Sequence, residues 1–263
     1  MSHSKFVVEN VRGKSVVVEA RSEAPLRLLN PANDGDGAWV FLSSLGGGFV
    51  GGDALALDLE VRESAKLFLS SQSSSKAYRD SRSSFTLDAR VGSGATFIAW
   101  PEPVTCFAGA GLRQLQRVSL QPSASLLFVD AFTAGRVARE ERWAFEDLES
   151  RLHVDVGDTP WLREGVRLSS THGEVKARMF GLDAFATVVL VGPQFEDLAR
   201  ALTASLHQRS LKESVLVTCS PRDGGALLRL ASPGVEALHL ELQALLSSSV
   251  TTVLRDLPLP SRG

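Results

Sequence analysis

The chain reads as a mainly β protein: one large β-structure, of stacked sheets or β-helix-like, with about two α-helices in its C-terminal third. Three observations predict this. Apolar and polar residues alternate with period two in several short runs. Turn signals separate those runs at strand-plus-turn spacing. Near Gly192 the periodicity changes to a helical stripe.

Taken in order, Val16–Ala20 is short and β-branched, and Ala38–Leu42 is an apolar run. Leu55, Leu57, Leu59 and Val61 alternate with Ala56, Asp58 and Glu60, as a strand with one buried face does. Lys66–Ser71 continues in that style. Phe85, Leu87, Ala89 and Val91 alternate with Thr86, Asp88 and Arg90, and Ala95, Phe97 and Ala99 follow the turn at Gly92-Ser93-Gly94. Beyond Pro193, the residues Phe195, Leu198, Ala199, Leu202 and Leu206 form a helical stripe. Pro233-Gly234 precedes a second stripe at Val235, Leu238, Leu242, Leu245 and Leu246, with proline near the helix entry. Between them, Ser214–Cys219 and Ala226–Leu230 read as strands around the turn at Pro221–Gly225. Leu257-Pro258-Leu259-Pro260 reads as a non-helical end.

No linker separates bodies of different composition. We expect a single domain over 1–263: a strand-rich body over about 1–190, a helix–strand–strand–helix part over about 193–250, and a tail over 251–263. No internal repeat is legible. The chain is 44% hydrophobic and 22% charged, ordinary globular composition with enough apolar content for a sizeable core. A net charge of −2 and a pI of about 6.2 exclude the electrostatic footprint of a nucleic-acid binder. The cysteines, Cys106 and Cys219, are too far apart for a CxxC clip and fit free thiols in a reducing compartment. Met1–Glu9 is too polar for a secretory signal, and no apolar run approaches the roughly 20 residues of a membrane helix. The expectation is a cytoplasmic protein that engages neither membrane nor nucleic acid.

Four segments carry local chemistry. Gly46-Gly47-Gly48-Phe49-Val50-Gly51-Gly52-Asp53 contains a formal GxGxxG, but an alternating strand follows it where a dinucleotide site needs a helix. Asp53 stands where a phosphate loop would place lysine. So many glycines also permit a sharp corner and the close approach of two backbone segments, with Asp53 accepting from the turn's N–H groups. Gln72–Arg79 gathers amide, hydroxyl, cation and phenol in what is either a solvated loop or a polar channel wall. Trp100–Phe107 has two prolines, Pro101 and Pro103, which mark a crossing segment rather than a central strand. Its Cys106 reads as a small buried hydrophobe. Within Asp130–Trp143, residues Asp130, Arg136, Arg139 and Glu141 are candidates for a hydrogen-bonded network. Catalytic constellations are thin, with no GxSxG or HExxH. The histidines at 3, 153, 172, 207 and 239 are scattered.

Taken together these segments resemble the UreD/UreH family of urease accessory proteins. The family's triple glycine followed by Gly-Gly-Asp is similar to Gly46–Asp53. Its hydroxyl-rich stretch ending in Lys-x-Tyr-Arg resembles Ser70–Arg79. Its Pro-x-Pro leading to Phe-x-Gly-Ala resembles Pro101–Ala110, and its Gly-Arg-x-Ala-Arg-Gly-Glu block resembles Gly135–Glu141. Order and spacing agree. Glu140 stands where the family usually has glycine. The motif residues singled out are Gly47, Gly48, Gly51, Gly52, Asp53, Gln72, Lys76, Tyr78, Arg79, Pro101, Pro103, Phe107, Gly135, Arg136 and Glu141.

The resemblance implies a mostly β scaffold without catalytic turnover. It implies partnership with UreF, with the GTPase UreG through UreF, and with apo-urease, to help load nickel. It also implies an internal polar path for Ni²⁺ as transient cargo, with no permanently bound cofactor. Exchangeable oxygen ligands suit such transfer. Because they lie inside the motifs, Asp53, Glu102, Asp130 and Glu141 are the carboxylates expected to face the path, with Lys76, Tyr78 and Arg136 ordering it. The alternative reading is an enzyme or binding module that uses the Gly-rich loop for a phosphorylated ligand.

Overall fold

A computed structural model describes residues 2–79, 82–207 and 214–255. Leu257–Pro260 lies outside the described residues.

Two hairpins open the chain: Ser2–Val11 (β1) with Lys14–Arg21 (β2), and Leu26–Leu29 (β3) with Ala38–Ser44 (β4). The chain then coils. Gly48–Phe49 (β5), Ala54–Val61 (β6), Lys66–Ser71 (β7), Lys76–Ala77 (β8) and Arg82–Val91 (β9) come first. Thr96–Ala99 (β10), Val104–Cys106 (β11), Gly111–Leu120 (β12) and Ser125–Thr133 (β13) follow. After a small hairpin of Gly135–Arg136 (β14) and Glu141–Arg142 (β15) come Asp147–Val156 (β16) and Thr159–Ser169 (β17). The last part is Val175–Arg178 (α1), Ala184–Val191 (β18), Glu196–Leu206 (α2), Leu216–Arg222 (β19), Gly225–Ser232 (β20) and Val235–Leu254 (α3).

Successive strands alternate between two large sheets. One runs β17-β16-β12-β9-β6-β1-β2, and the other runs β19-β20-β18-β13-β10-β7-β4-β3. In the coil, like strands pair in parallel: β6 with β9 and β9 with β12 on one side, β4 with β7, β7 with β10 and β10 with β13 on the other. The short strands β5, β8 and β11 also stack in parallel and form a narrow third face between the sheets. The expectation of stacked, β-helix-like sheets holds.

The absence of a repeat does not hold at the level of structure. Ala38 pairs with Leu67, Leu67 with Phe97 and Phe97 with Leu126, so one turn of the coil takes 29 or 30 residues. These rungs share apolar character but no sequence, and inward-facing positions ask for nothing more.

The helices match the two stripes, with differences at the edges. A one-turn helix, α1, precedes them. The last helix runs on to Leu254, past Leu246 and into the first four residues of the expected 251–263 tail, because Val250, Val253 and Leu254 continue the buried face. Both α2 and α3 cover the outer side of the larger sheet through Phe195, Ala199, Leu238, Leu242 and Leu246. That covered face explains β13, where Leu126–Ala131 are buried on both sides and alternation is lost.

Two apolar clusters fill the inside of the coil. Leu57, Leu87, Phe97, Val118, Phe128 and Leu152 belong to one, and Phe49, Ala77, Leu112, Phe132 and Leu148 to the other.

Candidate functional site

Between the two inner clusters lies a polar layer. Along β12, Leu112 belongs to one cluster and Val118 and Leu120 to the other, while Gln114 and Gln116 occupy the inward positions between them. Along β16, Ser150 sits between Leu148 and Leu152 in the same way, paired across the sheet with Gln114. From the opposite sheet, Asp130 sits between Phe128 and Phe132. All four polar residues are buried. Ser150 Oγ donates to Asp130 Oδ2 at 2.6 Å, and Gln116 Nε2 donates to Ser150 Oγ at 3.3 Å.

Burial pushes the Asp130 carboxyl up from 3.8 to about 6, against the bonds from Ser150 and Gln116 that favour its charged form. A polar layer of this kind costs stability relative to an apolar core of the same shape. The Gln114 Oε1 atom is buried and has no hydrogen-bond partner among the described residues.

A cavity of about 80 Å³ opens onto this layer, lined by Asp130, Gln114, Gln116, Glu102, Ser44 and Ser71 among others. Glu102 is brought there by the Pro101–Pro103 corner between β10 and β11, whose backbone is anchored where Glu102 N–H donates to Ser71 Oγ at 2.9 Å. Pro101 lines the same cavity. Glu102 also borders two other cavities. One, of about 240 Å³, lies against α3 and includes Gln72, Pro101, Pro103 and His239. The other, an open groove of about 480 Å³, includes Ser74, Pro103, Thr105, Thr133 and Asp183. Hydroxyls cross that groove in a row, Ser74 to Thr105 at 3.2 Å and Thr105 to Thr133 at 2.9 Å.

The sequence motifs meet in a second cluster around the third face. Gly48 allows β5 to lie against β8, since a Cβ there would stand 1.9 Å from the Lys76 carbonyl oxygen. Lys76 thus serves this cluster through its backbone. Tyr78 Oη donates to the Gly46 carbonyl at 2.8 Å, and its ring meets Phe107 edge-on at 5.3 Å. The Arg136 guanidinium lies 4.3 Å over the Phe107 ring and grips Glu141 through two bonds of 2.8 and 2.5 Å. Arg79 approaches the same carboxylate at 3.6 Å. The Arg136 bonds, with a bond from Ala108 N–H and the nearby Arg79 charge, hold the Glu141 carboxyl below its ordinary range despite some burial.

Gly135 closes this hairpin at φ +100°, where a Cβ would stand 2.6 Å from the Glu141 carbonyl oxygen. Glu140 keeps a left-handed backbone at φ 63°, ψ 12°, the conformation glycine would adopt there without strain. The Gly51-Gly52 turn leads directly into β6, and Asp53 Oδ2 accepts from Val50 N–H at 2.8 Å. The Gly-rich segment is therefore a strand corner that opens onto no helix, which removes the phosphate-loop geometry.

The four expected path carboxylates are not brought together. Glu102 and Asp130 share one cavity, while Asp53 and Glu141 are not among its lining residues and are engaged by a turn and a hairpin. Nor do Asp130, Arg136 and Glu141 form one network, since Asp130 bonds within the polar layer and Arg136 with Glu141. Among the described residues, no group of three or more His, Cys, Asp and Glu side chains could hold a metal ion. No helix among them is long and apolar enough to cross a membrane. Gln114, Gln116 and Ser150 escaped the sequence reading, although amides at two successive inward positions of an alternating strand are a visible signal.

A family model described as UreD urease accessory protein matches residues 2–262. The urease accessory protein UreD of Sorangium cellulosum (strain So ce56) is 42% identical over 234 residues, 88% of this chain and 75% of that protein. The UreD of Anaeromyxobacter sp. (strain Fw109-5) is also 42% identical, over 88% of this chain and 79% of its own length. The urease accessory protein D of Arabidopsis thaliana is 28% identical over 91% of this chain and 93% of its own. With the four motifs gathered at one corner of the coil, this chain belongs to the UreD family of urease accessory proteins, which assist an enzyme rather than act as one.

Proposed function

We propose that this protein works in the cytoplasm as a scaffold which joins UreF, and through it the GTPase UreG, to apo-urease, and that it carries Ni²⁺ toward the urease active site along an internal polar path. One observation supports the path above all: the buried polar layer, with Asp130 and Glu102 on a shared cavity, between two apolar clusters that would be more stable joined. Its donors are oxygens, which exchange readily and suit cargo in transit. The path runs through Asp130 and Glu102. Asp53 and Glu141 hold the Gly-rich corner and the 135–142 hairpin in shape, and Lys76, Tyr78 and Arg136 belong to that framework. Exposed apolar side chains, Phe180 at 89% and Leu240 at 61%, suit a protein that is covered by partners.

The test is complementation. A urease-producing host that lacks this protein should make urease with little activity, and the wild-type gene should restore it. Wild-type protein should co-purify with UreF. Equal urease activity with and without the gene, or failure to co-purify, refutes the reading.

A further inference from the structure

The open groove beside the start of α3 has a buried carboxylate oxygen that no donor reaches. Asp183 is 8% exposed and lines this groove of about 480 Å³. Arg142 Nη2 donates to its Oδ2 at 2.8 Å, while its buried Oδ1 has no hydrogen-bond partner among the described residues. The backbone fixes the residue in place. Asp183 N–H donates to the Ser232 carbonyl at 2.8 Å, and the Asp183 carbonyl accepts from Ala134 N–H at 2.6 Å. Folded proteins leave few buried acceptors unpaired, so an anchored one at the wall of a groove points to a donor that arrives from outside.

The rest of the groove is short of donors too. Ser74 Oγ donates to the Pro103 carbonyl at 2.7 Å, so it meets Thr105, 3.2 Å away, as an acceptor. Thr105 in turn lies 2.9 Å from Thr133. Each hydroxyl carries one proton and two lone pairs, so the row presents more acceptors than donors. The groove is lined by no Lys, Arg or His among the described residues. Arg142 balances the charge of Asp183, and the N-terminus of α3 adds about half a positive charge. The full charge of the Glu102 carboxylate outweighs that half, so the groove favours a cation. Its lining is also apolar beside the acceptors, since Val137 and Val235 stay 40% and 46% exposed there.

We propose that this groove binds an arginine side chain presented by a partner protein. The guanidinium donates to Asp183 Oδ1 and to the Thr105 and Thr133 hydroxyls, and the methylene stem packs on Val137 and Val235. This rests on the scaffold reading above and gives one of its interfaces an anchor. A guanidinium holds its donors in a planar fork that several acceptors satisfy together. It is also less strongly hydrated than an ammonium, so it enters a half-buried groove more readily than lysine does. A bare cation would leave the apolar lining uncovered, whereas an arginine stem covers it. Buried arginines of this kind are among the side chains that dominate protein interfaces.

The first test uses the full chain, with acetyl-arginine-amide as the probe and saturation-transfer NMR as the readout. Acetyl-citrulline-amide, of the same shape without the charge, is the comparison. The arginine probe should bind about tenfold tighter, the scale of one charge-assisted hydrogen bond. Asp183→Asn should remove that preference, and a thermal melt separates lost binding from lost fold, because Arg142 bonds the same carboxylate. Val235→Arg places a guanidinium at the groove from an exposed helix position and should abolish binding of the probe, whereas Val235→Met adds length without charge and should not. The second test is co-purification with UreF and with apo-urease. Val235→Arg should lower retention of one of them about tenfold, and Val235→Met should retain both. Equal binding of the two probes overturns the proposal, as does Val235→Met acting like Val235→Arg. Probe binding with neither complex weakened shows a site for free arginine only and overturns the docking role. If wild type itself fails to co-purify, the scaffold reading falls. If wild type and Val235→Arg co-purify alike, only the groove falls.

Discussion

Replacing Asp130 by Asn should make the nickel-free protein more stable at neutral pH. The buried carboxyl has its folded-state value raised from 3.8 to about 6 by loss of solvent. The folded state therefore binds more protons than the unfolded state between about pH 4 and pH 6, and stability falls as pH rises through that window. Above pH 6 the penalty is complete, and a shift of about two pH units corresponds to about 3 kcal/mol. Asn carries no charge and escapes it. The substitution also weakens the 2.6 Å bond from Ser150, which offsets about 1 kcal/mol. A net gain of about 2 kcal/mol at pH 8 corresponds to a melting point higher by about 5 °C in a chain of this size. At pH 4 wild type is already protonated, so the gain disappears and the weakened bond leaves the variant equal or slightly less stable. Thermal melts of both proteins at pH 4.5 and pH 8, followed by circular dichroism, measure the difference. A variant that melts below wild type at pH 8, or a gap independent of pH, would show that the buried Asp130 charge does not destabilise the fold. If Asp130 also carries cargo, the same variant is more stable and less able to activate urease.

Other substitutions probe the framework. Gly48→Ala should cost about 3 kcal/mol, the upper end for overpacking, because the added methyl meets backbone atoms of Lys76 that cannot rotate away; soluble yield and urea denaturation read this. Glu140→Gly should raise stability by about 0.5–1 kcal/mol by releasing the left-handed strain at φ 63°, and an unchanged urea midpoint would show that the hairpin has already relaxed. Burial pushes the Cys106 thiol up to about 12, while Cys219 is only partly buried. Under native conditions iodoacetamide should therefore modify Cys219 and spare Cys106, as peptide mass spectrometry would show.

The strands that alternate cleanly in sequence belong largely to the seven-stranded sheet. Leu55–Val61 and Phe85–Val91 each present one apolar side inward, and period two captures them. The stripes of α2 and α3 were legible for the same reason. What escaped is the parallel stacking, because the pairing of Ala38 with Leu67 and Leu67 with Phe97 asks for apolar character and no particular residue. At the site, the motifs led to the corner where Tyr78, Phe107, Arg136 and Glu141 meet. They also led to Asp130 and Glu102 at the polar layer, but not to its Gln114, Gln116 and Ser150, which are short polar interruptions of apolar strands. Asp53 and Glu141 drew attention as charges inside motifs, yet nearby N–H and guanidinium groups engage both.

The stacked coil also decides where this chain can change length. Inserting one residue within β12 would swing Gln114 and Gln116 to the outside and drive Arg113, Leu115 and Arg117 into the interior. Every strand stacked beside it would then face a mismatched neighbour. Within the parallel stack, length changes are best absorbed at the corners between faces, or as a whole turn of about 29 residues gained or lost at once, a spacing set by the pairing of Ala38 with Leu67. The antiparallel pairs, β1 with β2 and β16 with β17, instead absorb single residues as bulges. Among relatives of different length, the added residues should fall in those corners, and the spacing from Gln114 to Gln116 should stay fixed at two.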